Sequence, residues 1–106
     1  MGAPSDPRGQ LDLLLLSAVS AEPAHGYRVI ERLRERSAGA FDLREGTVYP
    51  ALHRLERNGL LESRWQDVAP RRRRVYSLTS RGRGALELKR GEWSAFAGAV
   101  QAVIAG

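Results

Sequence analysis

Four consecutive arginines, Arg71 to Arg74, carry the strongest chemical signal in the chain. Adjacent guanidiniums repel one another unless an anion lies close, and each offers paired N–H donors that suit phosphate oxygens and guanine edges. A second set stands upstream on a helical period. Val48, Leu52 and Leu55 make one apolar stripe, which leaves Thr47, Tyr49, Pro50, His53, Arg54 and Arg57 outward or at the leading end. A recognition helix offers base edges in the major groove this kind of donor set from its N-terminal half. Thr47 suits a base or a phosphate, Tyr49 a phosphate while its ring packs on sugar, and Arg54 a guanine or the backbone. Tyr27 is counted with this DNA-contacting set and also heads the apolar stripe of its own helix. The plainer readings are a solvated amphipathic helix and a charged strand edge that discourages aggregation. The closeness of the two sets in sequence favours duplex DNA.

Other chemistries find little support. The two histidines, His25 and His53, are too far apart in sequence for a metal-ligand motif, and there is no cysteine. No glycine-rich phosphate loop, nucleophile elbow or carboxylate pair appears. The chain is therefore expected to be no enzyme, with no catalytic residue, metal or cofactor. His25 is expected to set up the start of a helix, and His53 to face DNA or solvent.

The charge is localised. Residues 1–59 hold eight arginines and eight acids, whereas residues 60–90 hold nine Lys/Arg against Glu62, Asp67 and Glu87. One segment thus carries the whole excess of the net +5, as a polyanion-binding surface would. With 42% hydrophobic and 27% charged residues, the 106-residue chain reads as one globular domain. Leu13 to Leu16 is too short an apolar run to span a bilayer, and the N-terminus lacks the pattern of a signal peptide. A cytoplasmic protein with no membrane partner is expected.

The elements that must hold these groups follow from period and punctuation. Residues 1–9 are Pro/Gly/Ser-rich and expected to fray. Leu11, Leu14, Leu15, Ala18 and Val19 predict a helix over 10–20, stopped by Pro23. A second helix opens at Gly26, with Tyr27, Ile30 and Leu33 inward, Arg28, Glu31, Arg32 and Glu35 outward, and Gly39 as its stop. A third lies between about Arg44 and Asn58. Pro50 requires either that Thr47 caps it or that it begins earlier and bends. Two strands follow, Leu60–Val68 and Arg73–Thr79, with Ala69 to Arg72 as a hairpin tip and Trp65 as a packing residue. Thr79-Ser80 caps a last helix that runs toward Ile104. Three helices, a hairpin and a helix make a mainly α winged helix-turn-helix. The expected division is a flexible 1–9, a DNA-binding domain over 10–79 and a C-terminal helix over 80–106.

Three stretches resemble the PadR family of bacterial regulators: His25-Gly26-Tyr27-Arg28-Val29-Ile30, then Glu45 through Leu61, then Arg73-Arg74-Val75-Tyr76-Ser77-Leu78-Thr79 with Gly82. The resemblance implies a homodimeric transcriptional repressor on a pseudo-palindromic operator. It places base and backbone contacts on Thr47, Tyr49, Pro50, His53 and Arg54, and a basic wing on Arg71 to Arg74. It assigns dimerisation to the last helix, here Leu86, Trp93, Phe96, Ala97, Val100 and Ile104, in a short type without a further C-terminal domain. Some members bind flat aromatic ligands beside a tryptophan of that helix. Trp93 is the corresponding candidate for a small aromatic effector, and a simple packing role is its rival. Arg44 departs from the small or polar cap that many members have. The alternative function is a winged helix that binds protein or RNA.

Overall fold

A computed structural model of the chain describes residues 7–106. Helix α1 spans Pro7–Ala18, strand β1 Ala24–His25, α2 Gly26–Arg36, α3 Glu45–Arg57, β2 Leu61–Val68, β3 Arg71–Leu78 and α4 Ser80–Ala105. The strands form one antiparallel sheet in the order β1-β3-β2, with Leu61 opposite Leu78 and Val68 opposite Arg71. This is the expected winged helix-turn-helix, with one strand, β1, that the sequence reading did not include. Most of the segment expected to fray lies outside the described residues, but Pro7–Gly9 already belong to α1.

The core forms where the apolar faces of α1, α2, α3 and the base of the sheet meet. Leu15, Leu16, Val29, Val48, Leu52, Leu55 and Tyr76 are essentially inaccessible to solvent. The second helix corrects the expected stripe. Val29, Ile30 and Leu33 point inward, while Tyr27 is half exposed. Arg32, expected outside, is buried, and its guanidinium donates to the carbonyls of Ala18 and Glu22, each at 2.9 Å. It thereby satisfies acceptors that the end of α1 and the following turn leave open, and brings positive charge to the negative end of that helix.

Helix α3 starts at Glu45, so the earlier of the two expected starts is the one observed. Arg44 stands at its N-cap in an extended conformation without a side-chain capping bond. Pro50 lies inside the helix, where its missing N–H leaves the carbonyl of Gly46 without its usual partner. The hairpin is longer than expected. Its turn is Ala69-Pro70 alone, so Arg71 and Arg72 belong to β3 rather than to the tip.

The start of α4 is fastened to the domain. Thr79 Oγ1 accepts from the Gly82 amide at 2.9 Å and donates to the Gly59 carbonyl at 2.6 Å. Gly82 packs so tightly that a Cβ there would lie 2.0 Å from the carbonyl oxygen of Leu60. Leu86 is buried in the same core. This corrects its expected place in a dimer face, because its own chain already covers it. Past Leu86 no residue of α4 is buried. The helix has 26 residues, about 39 Å at about 1.5 Å per residue, so it extends well beyond the core that anchors it. No helix among the described residues is long and apolar enough to cross a membrane.

Candidate nucleic-acid interface

Strand β1 is two residues long and pairs only with Val75 and Tyr76, so β3 has an uncovered edge from Arg74 outward. That edge forms one wall of an open groove of about 820 Å³. The start of α2 and the N-terminal half of α3 form the other wall. Tyr27, Tyr49, His53 and Arg71 to Arg74 of the expected set line it, together with His25, Glu45 and Trp65. Tyr49 reaches this position because Gly26 has no side chain: a Cβ on Gly26 would lie 2.3 Å from the Tyr49 ring. Burial, reinforced by the Glu45 carboxylate, raises the pKa of the Tyr49 phenol, which keeps its proton at neutral pH.

Strand alternation sorts the four arginines into two rows. Arg72 and Arg74 share the face of Trp65 and Tyr76. Arg74 donates to Ser63 Oγ at 2.7 Å and pairs with Glu56 of α3 at 3.3 Å, and Ser63 donates to the same carboxylate. The indole of Trp65 stacks beneath both guanidiniums, 5.6 Å from Arg74 and 4.9 Å from Arg72. Arg72 also meets Asp67 at 3.2 Å, in an exposed pair of little strength. Trp65 is 56% exposed, so the packing expected of it lies outside the core: its ring spaces two cations on the wing. Arg71 and Arg73 occupy the other row. Arg71 is exposed and makes no ion pair among the described residues, and Arg73 approaches His25 at 3.5 Å.

The rest of the expected set is dispersed. Thr47, Pro50 and Arg57 are exposed on α3 but do not line the groove. Arg54 is the clearest correction. It makes a two-pronged pair with Asp12 of α1, at 2.6 and 3.1 Å, and is only 24% exposed. A guanidinium held by a carboxylate that is itself 11% exposed fastens α3 to α1, and is not available to read a base. The sequence held one clue, the lone Asp12 inside an apolar stripe, which needs a buried partner. His25, Trp65, Glu56 and Ser63 were legible only once strand register brought them together.

A second groove, of about 420 Å³, is apolar. Leu11, Leu13, Leu14, Phe41, Leu43 and Trp93 line it, together with the polar Thr47 of α3 and Gln10. Trp93 and Phe96 lie with ring centroids 6.0 Å apart. Trp93, Phe96, Val100 and Ile104 are between 38% and 70% exposed, with Ala97 half-buried among them. The described residues hold no cluster of His, Asp or Glu that could hold a metal ion.

The sequence profile of the transcriptional regulator PadR-like family matches residues 15–88, which include both walls of the wing groove. The chain belongs to the PadR-like family. Transcriptional regulator Rv3488 of Mycobacterium tuberculosis is 39% identical to it over 79 residues, covering 74% of this chain and 71% of that protein. A PadR family transcription regulator from Clostridium difficile R20291 shares 35% identity, with a TM-score of 0.76 over 91% of this chain and 98% of that one. A PadR-like transcriptional regulator from Bacillus cereus superposes with a TM-score of 0.81 at 25% identity, over 93% and 95% of the two chains. Bacillus subtilis PadR, solved in complex with operator DNA, shares the fold at 20% identity, with a TM-score of 0.68 over 74% of this chain and 45% of that one. These PadR-like relatives are transcriptional regulators, and the PadR-like fold places the residues of the wing groove at one surface.

Proposed function

We propose that the chain is a cytoplasmic, sequence-specific repressor that binds a pseudo-palindromic operator as a homodimer. One observation carries the reading. The exposed start of α3, with Tyr49 and His53, and the uncovered arginine edge of β3 face a common groove. This arrangement suits a recognition helix in the major groove and a wing against the neighbouring backbone. The operator complex of Bacillus subtilis PadR supports duplex DNA as the ligand. The dimer reading rests on α4. Its stripe of Trp93, Phe96, Val100 and Ile104 lies open along a helix that its own core does not cover, and a second copy would bury it.

A small aromatic effector is favoured by the apolar groove beside Trp93. An occupant would touch α1, α4 and, at Thr47, the first turn of the recognition helix, so its binding would bias that helix.

The test is fluorescence anisotropy with the duplex upstream of the protein's own gene and a shuffled duplex, across a salt series. Tight binding to the native duplex alone establishes the regulator. Equal, steeply salt-dependent binding to both refutes operator specificity. Failure to bind at low salt refutes the DNA reading and leaves the protein-binding winged helix. Sedimentation at micromolar concentration tests the dimer, and a monomer there refutes it.

A further inference from the structure

We propose that His25 and Arg73 together form a subsite for one backbone phosphate of the bound duplex. The inference rests on the DNA-binding reading above and adds to it His25, expected until now only to set up the start of α2.

Residue His25 ends β1, where it pairs with Val75, and it is also the N-cap residue of α2. Its ring therefore lies on the Val75 side of the sheet, the side that Arg73 also faces. The Arg73 Nη1 and His25 Nε2 atoms are 3.5 Å apart at the lip of the groove. Guanidinium nitrogens only donate, so this approach requires Nε2 to be the acceptor and the imidazole to be neutral. Arg73 makes no ion pair with a carboxylate among the described residues. Two nitrogens that meet in this way lose little when an anion enters between them. A phosphodiester presents two non-bridging oxygens, one for an Arg73 N–H and one for a protonated Nε2. His25 uses no side-chain bond to cap α2, and the positive end of that helix favours the same anion.

The electrostatics make the subsite a proton-linked one. In the free chain burial lowers the pKa of His25, and Arg73 lowers it further. Arg28 and Arg32 of α2 act in the same direction, and Glu31 of α2 opposes them. Across the groove α3 presents Glu45, Tyr49 and His53. A phosphate between the two nitrogens would reverse the balance and favour the imidazolium. Binding then takes up a proton, so affinity rises as pH falls through the bound-state pKa toward the lower free-state one.

The experiment titrates the imidazole proton signals of the full chain with and without operator duplex, and measures duplex affinity from about pH 6 to about pH 7.5. His25→Gln assigns the signals and supplies the second arm. The expected midpoint for His25 lies below the ordinary histidine value in the free chain and above it on the duplex. Affinity should tighten by about fivefold per protomer as the pH falls from about 7.5 to about 6, and this gain should vanish in His25→Gln. An unchanged midpoint on binding overturns the subsite even if the variant does not fold. A pH dependence that persists in His25→Gln overturns it too, and points to His53. Duplex binding that is tight but independent of pH refutes the subsite and leaves the DNA reading intact. No binding at any pH refutes both.

Discussion

Truncation of Arg54 separates what the sequence suggests from what the fold imposes. The Arg54–Asp12 pair has two prongs, at 2.6 and 3.1 Å, and joins residues 42 positions apart on α1 and α3. Breaking a fully buried pair by removing one partner costs about 3–5 kcal/mol. Here the side chains are 24% and 11% exposed, so water relieves part of the penalty. A loss of about 2–3 kcal/mol is expected for Arg54→Ala. Asp12→Ala should cost less, because the longer and more exposed arginine can turn its charge toward solvent. The double variant should fall short of the sum of the single effects by about 2 kcal/mol. The assay is urea unfolding of all four proteins at one protein concentration, since the stability of the proposed dimer would depend on concentration. Additive losses would refute the clamp. So would an Arg54→Ala protein of normal stability that discriminates poorly between operator and shuffled duplex, which would restore the base-reading role.

The other predictions address packing, the wing and the dimer. Gly82→Ala places a methyl 2.0 Å from a backbone carbonyl that cannot turn aside. It should cost about 3 kcal/mol or more, read as a fall in thermal midpoint with the helical circular dichroism otherwise native. Arg71→Ala should weaken binding to all duplexes alike and lower the salt slope by about one unit per protomer, measured by anisotropy across a salt series. Phe96→Asp puts a charge on the exposed stripe of α4 and should yield a folded monomer by sedimentation, with operator affinity reduced at least about tenfold through lost bivalence.

Periodicity and punctuation were enough for the architecture but not for the pairings within it. Val48, Leu52 and Leu55 were legible as a buried face because a helix repeats its inner surface every three or four residues. Thr79 was legible as a cap from its place before an apolar period. Tyr27 and Arg32 were misassigned for a reason of the same kind. A stripe drawn through Tyr27, Ile30 and Leu33 fits the helical period as well as the true one through Val29, Ile30 and Leu33, and no local rule says that α1 will need a cation at its end. The missing strand is two residues long and exists only because β3 lies alongside, so no window of sequence could display it. Arg54 was misread because its partner stands 42 positions away. The partners of Trp65 were not legible because an aromatic in a strand is usually core, whereas here two arginines stand diagonal and opposite to it.

The register of the wing resolves the difficulty posed by four adjacent arginines. Equivalent guanidiniums would repel one another throughout the free state. Alternation divides them, and the two rows meet different surroundings. Arg74 is tied to Glu56 and Ser63, Trp65 stacks on it, and Arg72 rests on the outer end of that stack. This row links the wing to the C-terminal half of α3 and so fixes how far the arginine edge stands from the recognition helix. In the proposed DNA complex the spacing would matter because a helix in one groove and a wing at the next backbone must engage together, and a displaced wing would lose its contacts without any loss of charge. Arg71 and Arg73 have no carboxylate partner among the described residues, which in the proposed complex would leave their charge to the DNA backbone. Arg74 thus ties the wing to α3, whereas Arg71 and Arg73 are the pair that the proposed DNA contact would use, a division set by the two-residue period of a strand.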